Sequence, residues 1–266
     1  MMIRKFIQST FQLFGYELRK KKKLEEVDDP YHALSLFLDQ KKTNIVIDAG
    51  ASVGDITNRL SAIFPNATVH AIEPYPPFYE CLEQISLRNN RIRPAKLALS
   101  EENGSAFLQV NQSEGTNSLL EANVSGKEIY GDILSPKGRV KIECQKLDDF
   151  MNERSIDHVD FLKFDLQGSE LPALKGGSRA FQSGNIKFIL CEIMIHNHYH
   201  NQPSAIEILR QLTQVYDYKL LNFYQPVYHH GYLLQVDALL VHSSVKESVT
   251  KKARYTFFPH SPFPIN

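Results

Sequence analysis

The chain of 266 residues has no tryptophan, three cysteines and no net formal charge. Each shortage excludes something. Cys81, Cys144 and Cys191 lie far apart without a CxxC spacing. That excludes a disulfide framework and points to reduced thiols in a cytoplasmic protein. Each sits in an apolar run and is expected to be packed in the interior. Balanced charge removes the global polyelectrolyte signal of a nucleic-acid binder. No apolar run approaches the roughly 20 residues of a membrane span, and the first residues are too polar for a secretory signal. What remains is 42% hydrophobic, enough for the core of one α/β unit with attachments.

The balance hides a local excess. Residues 1–24 hold Arg4, Lys5, Arg19 and Lys20 to Lys23 against Glu17. Ile3, Phe6, Ile7, Thr10, Phe14 and Leu18 form a helical stripe ahead of the lysines. A helix packed on the domain with a solvated lysine run behind it is the favoured reading. A basic amphipathic helix lying peripherally on an anionic inner-membrane surface is the alternative. Residues 1–28 are therefore set apart as a basic arm, 29–245 as the folded domain and 246–266 as a proline-rich tail.

Within the domain, Asp29-Pro30 reads as an N-cap followed by proline at the first helical position. Ile45 to Ala49 and Thr68 to Ile72 read as buried strands, and Arg91 to Leu99 as a third, although Pro94 sits badly inside it. Helical spacing fills the intervals, with Ile56, Leu60 and Ile63 in one and Phe78, Leu82 and Ile85 in the next. This β-α-β-α-β rhythm predicts a parallel sheet. It breaks after a short strand at Ala106 to Val110. Residues 111–138 are rich in Gly, Ser, Asn and Glu, and a loop that long reads as a substrate loop or lid. Val140, Ile142 and Cys144 alternate as in a strand, and Leu147 to Met151 reads as a short helix. Alternation then resumes with strands at Val159 to Asp165 and Ile186 to Ile193 and a helix at Ala205 to Val215. Leu220 to Tyr224 and Leu233 to Val241 are joined by a short loop, Gln225 to Tyr232, so this last pair is expected to be antiparallel.

The stretch that organises the chain is the turn after the first strand, Asp48-Ala49-Gly50-Ala51-Ser52-Val53-Gly54. A strand ending in a glycine-bearing turn that opens a helix builds a nucleotide-type pocket. Three ligand chemistries compete for it. A dinucleotide fingerprint needs G-x-G-x-x-G, and of Gly50, Ser52 and Asp55 only the first fits. Gly50 to Gly54 also spells G-x-S-x-G, a nucleophile elbow for Ser52 with Asp237 and His242 downstream. Only 49 residues precede Gly50, with no HGGG-type segment among them. The third candidate, S-adenosylmethionine, is cationic and carries no phosphate, so an acid at Asp48 and another at Glu73, about 20 residues beyond the turn, suit it. A non-catalytic module attached to a membrane by residues 1–24 is the remaining alternative.

A second stretch narrows the choice. Phe161-Leu162-Lys163, Asp165, Gly168, Glu170 and Leu174-Lys175-Gly176 follow one another at fixed spacing. With Asp48-x-Gly50-Ala51-x-x-Gly54, Glu73-Pro74, Ala98-Leu99-Ser100 and Leu147-Asp148-Asp149, this pattern resembles the FkbM-type S-adenosylmethionine-dependent methyltransferases over roughly residues 45 to 242. The resemblance implies a class I methyltransferase fold. Such a fold is a Rossmann-like, mostly parallel seven-stranded sheet, with the last strand inserted antiparallel and helices on both faces. It implies that Asp48, Gly50, Ser52, Gly54, Glu73, Leu99 and Ser100 line the cofactor site. It also implies methylation of a hydroxyl on a sugar, a glycan or a small natural product.

Asp165, Glu192 and His196 are the candidates for a general base toward that hydroxyl. Lys163 lies on the same strand face as Asp165 and reads as one half of an internal ion pair. Glu170 reads as a structural acid capping the helix opened by Gly168-Ser169, in preference to a substrate ligand. His196, His198 and His200 alternate after a strand and, with Asp165 and Glu192, could hold a divalent metal. Nothing in their spacing specifies zinc, and a required metal is not favoured.

Overall fold

The computed structural model describes residues 29–245. The basic arm of residues 1–28 and the tail of residues 246–266 lie outside the described residues. Among those described, no helix is long and apolar enough to cross a membrane.

The first helix, α1 (Pro30–Phe37), begins where Asp29 accepts a hydrogen bond from the Tyr31 amide at 3.1 Å. Its buried face of Tyr31, Leu34 and Phe37 packs on the sheet. Then follow β1 (Ile45–Ala49), α2 (Asp55–Ile63), β2 (Thr68–Ile72), α3 (Pro76–Arg88) and β3 (Ile92–Ala95). A smaller set comes next: β4 (Ala98–Leu99), β5 (Gly104–Asn111), α4 (Val124–Tyr130) and β6 (Pro136–Gln145). The chain returns through α5 (Leu147–Glu153), β7 (Val159–Phe164), α6 (Glu170–Gly176), α7 (Ser178–Gln182) and β8 (Ile186–Met194). It closes with α8 (Ala205–Arg210), which runs on into a π-wound turn, and the hairpin β9 (Tyr218–His229) and β10 (Tyr232–His242).

Seven strands form one sheet in the order β3-β2-β1-β7-β8-β10-β9. The contacts of β1 with β2 and β7, of β2 with β3 and of β7 with β8 are parallel, whereas β10 is inserted antiparallel to both β8 and β9. This is the expected architecture. The period-2 rule sorts its side chains into two layers. Ile47, Leu162, Phe164 and Ile189 face one side, while Val46, Phe161, Phe188 and Leu190 face the other. Every residue of β7 is buried, as befits a central strand covered on both faces.

Three expectations need correction. Arg91 to Leu99 is not one strand. Ile92–Ala95 is an edge strand of the main sheet, where Pro94 lacks only a hydrogen bond that nobody offers. Ala98–Leu99 instead joins a separate three-stranded sheet ordered β4-β6-β5. The link Gln225 to Tyr232 is mostly strand. The turn is His230-Gly231, with φ of 46° and 83°, the left-handed pair that suits the twist of a two-residue hairpin. Cys81 is exposed, unlike Cys144 and Cys191.

Two of the sequence motifs meet here. A Cβ added to Gly176, at the end of α6, would lie 2.0 Å from the Ser100 carbonyl oxygen. The L-K-G and A-L-S pieces are thus two sides of one backbone contact that fastens the small sheet's entry to the main domain. Gly176→Ala is expected to lower stability by about 1–3 kcal/mol through overpacking. Gly138→Ala, which meets nothing within 4 Å, should leave it within about 0.5 kcal/mol. Urea denaturation of both variants checks this, and equal midpoints would remove the contact from the account.

Candidate functional site

The carboxyl ends of parallel strands converge on one edge of the sheet, which is where an open α/β fold places its ligands. A cleft of about 100 Å³ opens there. Its floor is the turn at Gly50 and Ser52, and its walls include Glu73, Leu97, Leu99, Leu108, Phe78 and the segment Asp165–Gln167. A strap of residues 114–119 crosses it: Glu114, Gly115, Asn117, Ser118 and Leu119 all line the cleft. This part of the expected 111–138 loop does face the site. The rest of that segment is more ordered than expected, because α4 docks against the chain after β8, where the Asn123 amide donates to the His198 carbonyl at 2.9 Å.

Glu73 follows β2 directly and is held by the turn. Its Oε2 accepts the Ser52 amide at 2.8 Å and its Oε1 accepts the Tyr75 amide at 2.9 Å. Burial pushes this carboxyl up to about 7, against the pull of those two amides. Ser52 sits at φ 50°, a left-handed conformation that turns its amide onto Glu73. The hydrolase reading fails on topology. β10 runs antiparallel, so His242 lies at the opposite end of the sheet from Ser52, where its Nδ1 meets Ser244 Oγ at 2.8 Å.

Gly50 is required by a neighbour rather than by a ligand. Its φ is 78°, and a Cβ there would lie 1.9 Å from the Asp165 carbonyl oxygen. Two other residues expected to line the cofactor act from behind it. Gly54 packs against Ile85 and Leu82 of α3, either of which a Cβ would meet within 3 Å. Asp48 is fully buried under the turn, where its Oδ2 accepts the Thr57 hydroxyl at 2.7 Å and its Oδ1 lies 3.8 Å from Lys163 Nζ. Leu99 lines the cleft, but Ser100 does not. Its amide donates to the Gln145 carbonyl and its own carbonyl abuts Gly176.

On the far wall, Lys163 is the buried cation that its position on β7 predicts. Its Nζ reaches Asp165 Oδ2 at 3.2 Å. Burial opposes that ammonium, yet Asp165 and Asp48 raise its affinity for the proton. Asp165 is half-exposed to the cleft. Burial likewise opposes its charge, but Lys163 and the Gln167 amide hold its carboxyl below the usual carboxylate range. Glu192, at the end of β8, is buried beside it and goes the other way. Burial, and then the negative fields of Asp165, Glu170 and Asp237, push it well above the usual range. Two nearby carboxyls are thereby driven apart in acidity, the pattern of paired acids with different roles. Glu170 is structural, but as a turn acid rather than the helix cap expected of it. Its Oε1 accepts the Leu166 amide at 2.8 Å and the Gly168 amide at 3.4 Å, so it shapes the 166–168 turn.

The histidines do not assemble. His198 is buried against Tyr130, with burial lowering it to about 4. His196 turns toward the hairpin, edge-on to Tyr232, and His200 is exposed. His196 is therefore not brought to Asp165 and Glu192. Among the described residues, no three His, Cys, Asp or Glu side chains form a group able to hold a metal. Two residues not anticipated from the sequence are central. Gln167 bridges the two acids, and Asn117 keeps a buried Nδ2 without a partner on the cleft wall. A long polar loop was the available sign of Asn117; nothing in the sequence marks Gln167 beyond the glycine after it.

Comparison with known proteins follows the geometry. A family model described as "Methyltransferase FkbM domain" matches residues 48–220. The chain is 25% identical over 191 residues to 2-O-methyltransferase NoeI of Sinorhizobium fredii, across 67% of this chain and 74% of that protein. It is 28% identical over 153 residues to Methyltransferase sdnD of Sordaria araneosa, across 49% of this chain and 59% of that one. Against the latter, then, it spans less than two thirds of the relative's length. Among solved structures, an rRNA methylase from Streptococcus thermophilus overlays with a TM-score of 0.45 at 12% identity, across 82% of this chain and 98% of that one. With the matched domain running from Asp48 at the end of β1 to Leu220 in β9, the chain belongs to the FkbM family of methyltransferases.

Proposed function

We propose that this protein transfers the methyl group of S-adenosylmethionine to a hydroxyl of a sugar, glycan or small natural product. The observation that carries the proposal is the chemistry of the cleft. Among the described residues that line it are Glu73, Glu114 and Asp165, and none of them is a lysine or arginine. Such a cleft repels phosphate and accepts a cation. Leu97, Leu99, Leu108 and Phe78 offer an apolar slot for a base. Each Glu73 oxygen accepts one amide and retains a lone pair, which suits the two hydroxyls of a ribose. The unpartnered Asn117 Nδ2 is a further donor for a polar ligand group. NoeI is named a 2-O-methyltransferase, which supports a hydroxyl acceptor.

When bound, S-adenosylmethionine supplies an electrophilic methyl carbon. The remaining work falls to the chain. The strap and the 165–167 wall position the acceptor and shield it from water, and much of the rate in such a transfer comes from positioning. Asp165 is ionised and half-exposed, so its carboxylate is the group placed to take the hydroxyl proton. Glu192 is buried behind it, its carboxyl raised by that burial and by the acids around it, and is not exposed to the acceptor. His196 has no part in this arrangement.

The test is to incubate the purified protein with S-adenosylmethionine carrying a deuterated methyl and an extract of cells lacking the gene. The label should appear in carbohydrate or small-molecule products by mass spectrometry. Label confined to protein or nucleic acid would overturn the acceptor class. With the acceptor in hand, Asp165→Asn should lower kcat by roughly 100-fold to 10,000-fold while S-adenosylhomocysteine affinity, read by calorimetry, stays nearly constant. Equal losses would remove the proton-acceptor role.

Glu73 gives a pH test. Ribose hydroxyls donate far more strongly to its ionised form, so binding favours loss of the proton. With the carboxyl near 7, S-adenosylhomocysteine affinity should rise about tenfold between about pH 6 and 8. Glu73→Gln should flatten that slope, and a slope that persists in the variant would exclude Glu73 as the ribose ligand.

A further inference from the structure

Gln167 makes more polar contacts across the cleft than any mechanism so far uses. Its Nε2 donates to Asp165 Oδ1 at 2.9 Å and to Glu192 Oε2 at 3.1 Å. Its Oε1 accepts the Tyr199 hydroxyl at 3.0 Å. Both protons of the amide are committed and its oxygen is claimed, so its orientation is determined on three sides. The backbone is constrained as well. Gln167 stands at φ 51°, in the left-handed region that a non-glycine residue occupies only when its surroundings require it. Its carbonyl accepts the Ser118 hydroxyl at 2.6 Å.

Two of those partners belong to, or report on, the strap. Ser118 is one of its residues, and its backbone exchanges hydrogen bonds with Gln109 of β5 at 2.8 and 3.2 Å. The Tyr199 hydroxyl lies 3.2 Å from the Thr116 carbonyl as well as 3.0 Å from Gln167 Oε1, and its single proton is shared between these two acceptors. At its other end the strap is tied to the rim where the Tyr75 hydroxyl reaches Glu114 at 3.1 Å. The most direct route from the strap to Asp165 and Glu192 thus runs through the main chain or side chain of Gln167, while a longer one reaches Glu192 alone by way of Tyr199, Asn123, Tyr130 and Gln235.

We infer that Gln167 is a positioning residue that transmits the seating of the 114–119 strap to the Asp165–Glu192 pair. With the strap seated, Ser118 and Tyr199 pin Gln167, and its amide supports the Asp165 charge beside Glu192. With the strap lifted, both pins are withdrawn and the amide is free to leave Asp165. A charged base is then assembled only over a covered cleft, which keeps proton transfer away from bulk water. The inference rests on the reading of Asp165 as the proton acceptor.

The groups that set the Asp165 titration face it from several elements. They are Lys163 on β7, Asp48 from β1, Glu73 after β2, Cys191 and Glu192 from β8, Asp237 from β10, Glu170 from α6, Tyr31 from α1 and Tyr199 from the chain after β8. Of these Tyr199 hydrogen-bonds the strap, and burial pushes its phenol far above the range in which Asp165 titrates, so a strap variant should move Asp165 through Gln167 and not through a change of charge at Tyr199.

The test is a carbon-13 carboxyl NMR titration of the full-length protein, with Asp165→Asn and Glu192→Gln giving the assignments. The paired variant Ser118→Ala with Tyr199→Phe removes two hydroxyls and no packing carbon. It should raise the Asp165 titration by about one pH unit, and Gln167→Met should raise it as far. Adding the hydroxyl variants to Gln167→Met should then change nothing more, because the route is already cut. An Asp165 titration that stays put in either variant, or shifts that simply add in the triple variant, would overturn the inference. The measurement uses neither methyl donor nor acceptor. Failure of the methyl-transfer reading would appear separately, as absent binding of S-adenosylhomocysteine.

Discussion

The site end of the sheet depends on one buried ammonium. Lys163 lies between Asp48 on β1 and Asp165 beyond β7, 3.8 and 3.2 Å from their oxygens. A buried charge costs several kcal/mol to desolvate unless partners surround it, and here the partners belong to two adjacent strands. The pair does more than neutralise. Asp48 also holds the Thr57 hydroxyl of α2, so the same acid sets the helix that follows the organising turn. From Lys163 the order runs to Asp48, to Thr57 and to the turn on which Glu73 is hung. The Ser52 amide that holds Glu73 is therefore positioned from inside the core.

One cation cannot serve all the acids around it. Asp48, Asp165, Glu170, Glu192 and Asp237 share this end of the sheet, and Glu73 stands across the cleft. The acid that meets Lys163 at closest range and also receives the Gln167 amide keeps its charge. Glu170, Glu192 and Asp237 are pushed upward by burial, Glu170 to about 7 and Asp237 to about 6, whereas at Asp48 Lys163 and the Thr57 hydroxyl pull against that burial. A raised carboxyl favours the folded state below its unfolded value and loses that contribution as pH rises through the folded value. This cluster therefore makes the fold more tolerant of mild acid than of alkali, and the cleft titrates close to neutrality.

Much of this was legible in the sequence. Short-range signals carried the elements: the Asp29-Pro30 cap, the bounds of β2 and the antiparallel sense of the last pair all agree with the structure. The fixed spacing of Lys163, Asp165, Gly168 and Glu170 also marked the correct wall. What failed was long-range. Ala98 pairs with Cys144, and no local pattern announces a partner 46 positions away. Gln225-Pro226 looks like a loop, yet β9 is an edge strand where a proline is tolerated. A glycine advertises that space is needed without naming the atom that needs it. Gly50 and Gly54 read as room for a ligand, whereas the crowding atoms are a carbonyl of the neighbouring wall and two side chains of α3. Gln167 was invisible for a related reason, because a left-handed glutamine is created by its contacts and not by its own preference.

The charge arrangement also bears on which acid is suited to receive a proton. His196 meets the hairpin edge-on and Glu192 is buried with its carboxyl raised, so neither presents an open lone pair to the cleft. Asp165 does, but Lys163 makes it a weak base. That weakness is tolerable when the hydroxyl grows acidic as its oxygen bonds to carbon, since the proton need leave only late in the transfer. A proton arriving on Asp165 would leave Lys163 paired with Asp48 alone, a one-to-one match in place of one cation between two anions. The low-dielectric interior is then no worse balanced after the transfer than before it. The same lysine that lowers the basicity of Asp165 thereby limits the electrostatic cost of using it.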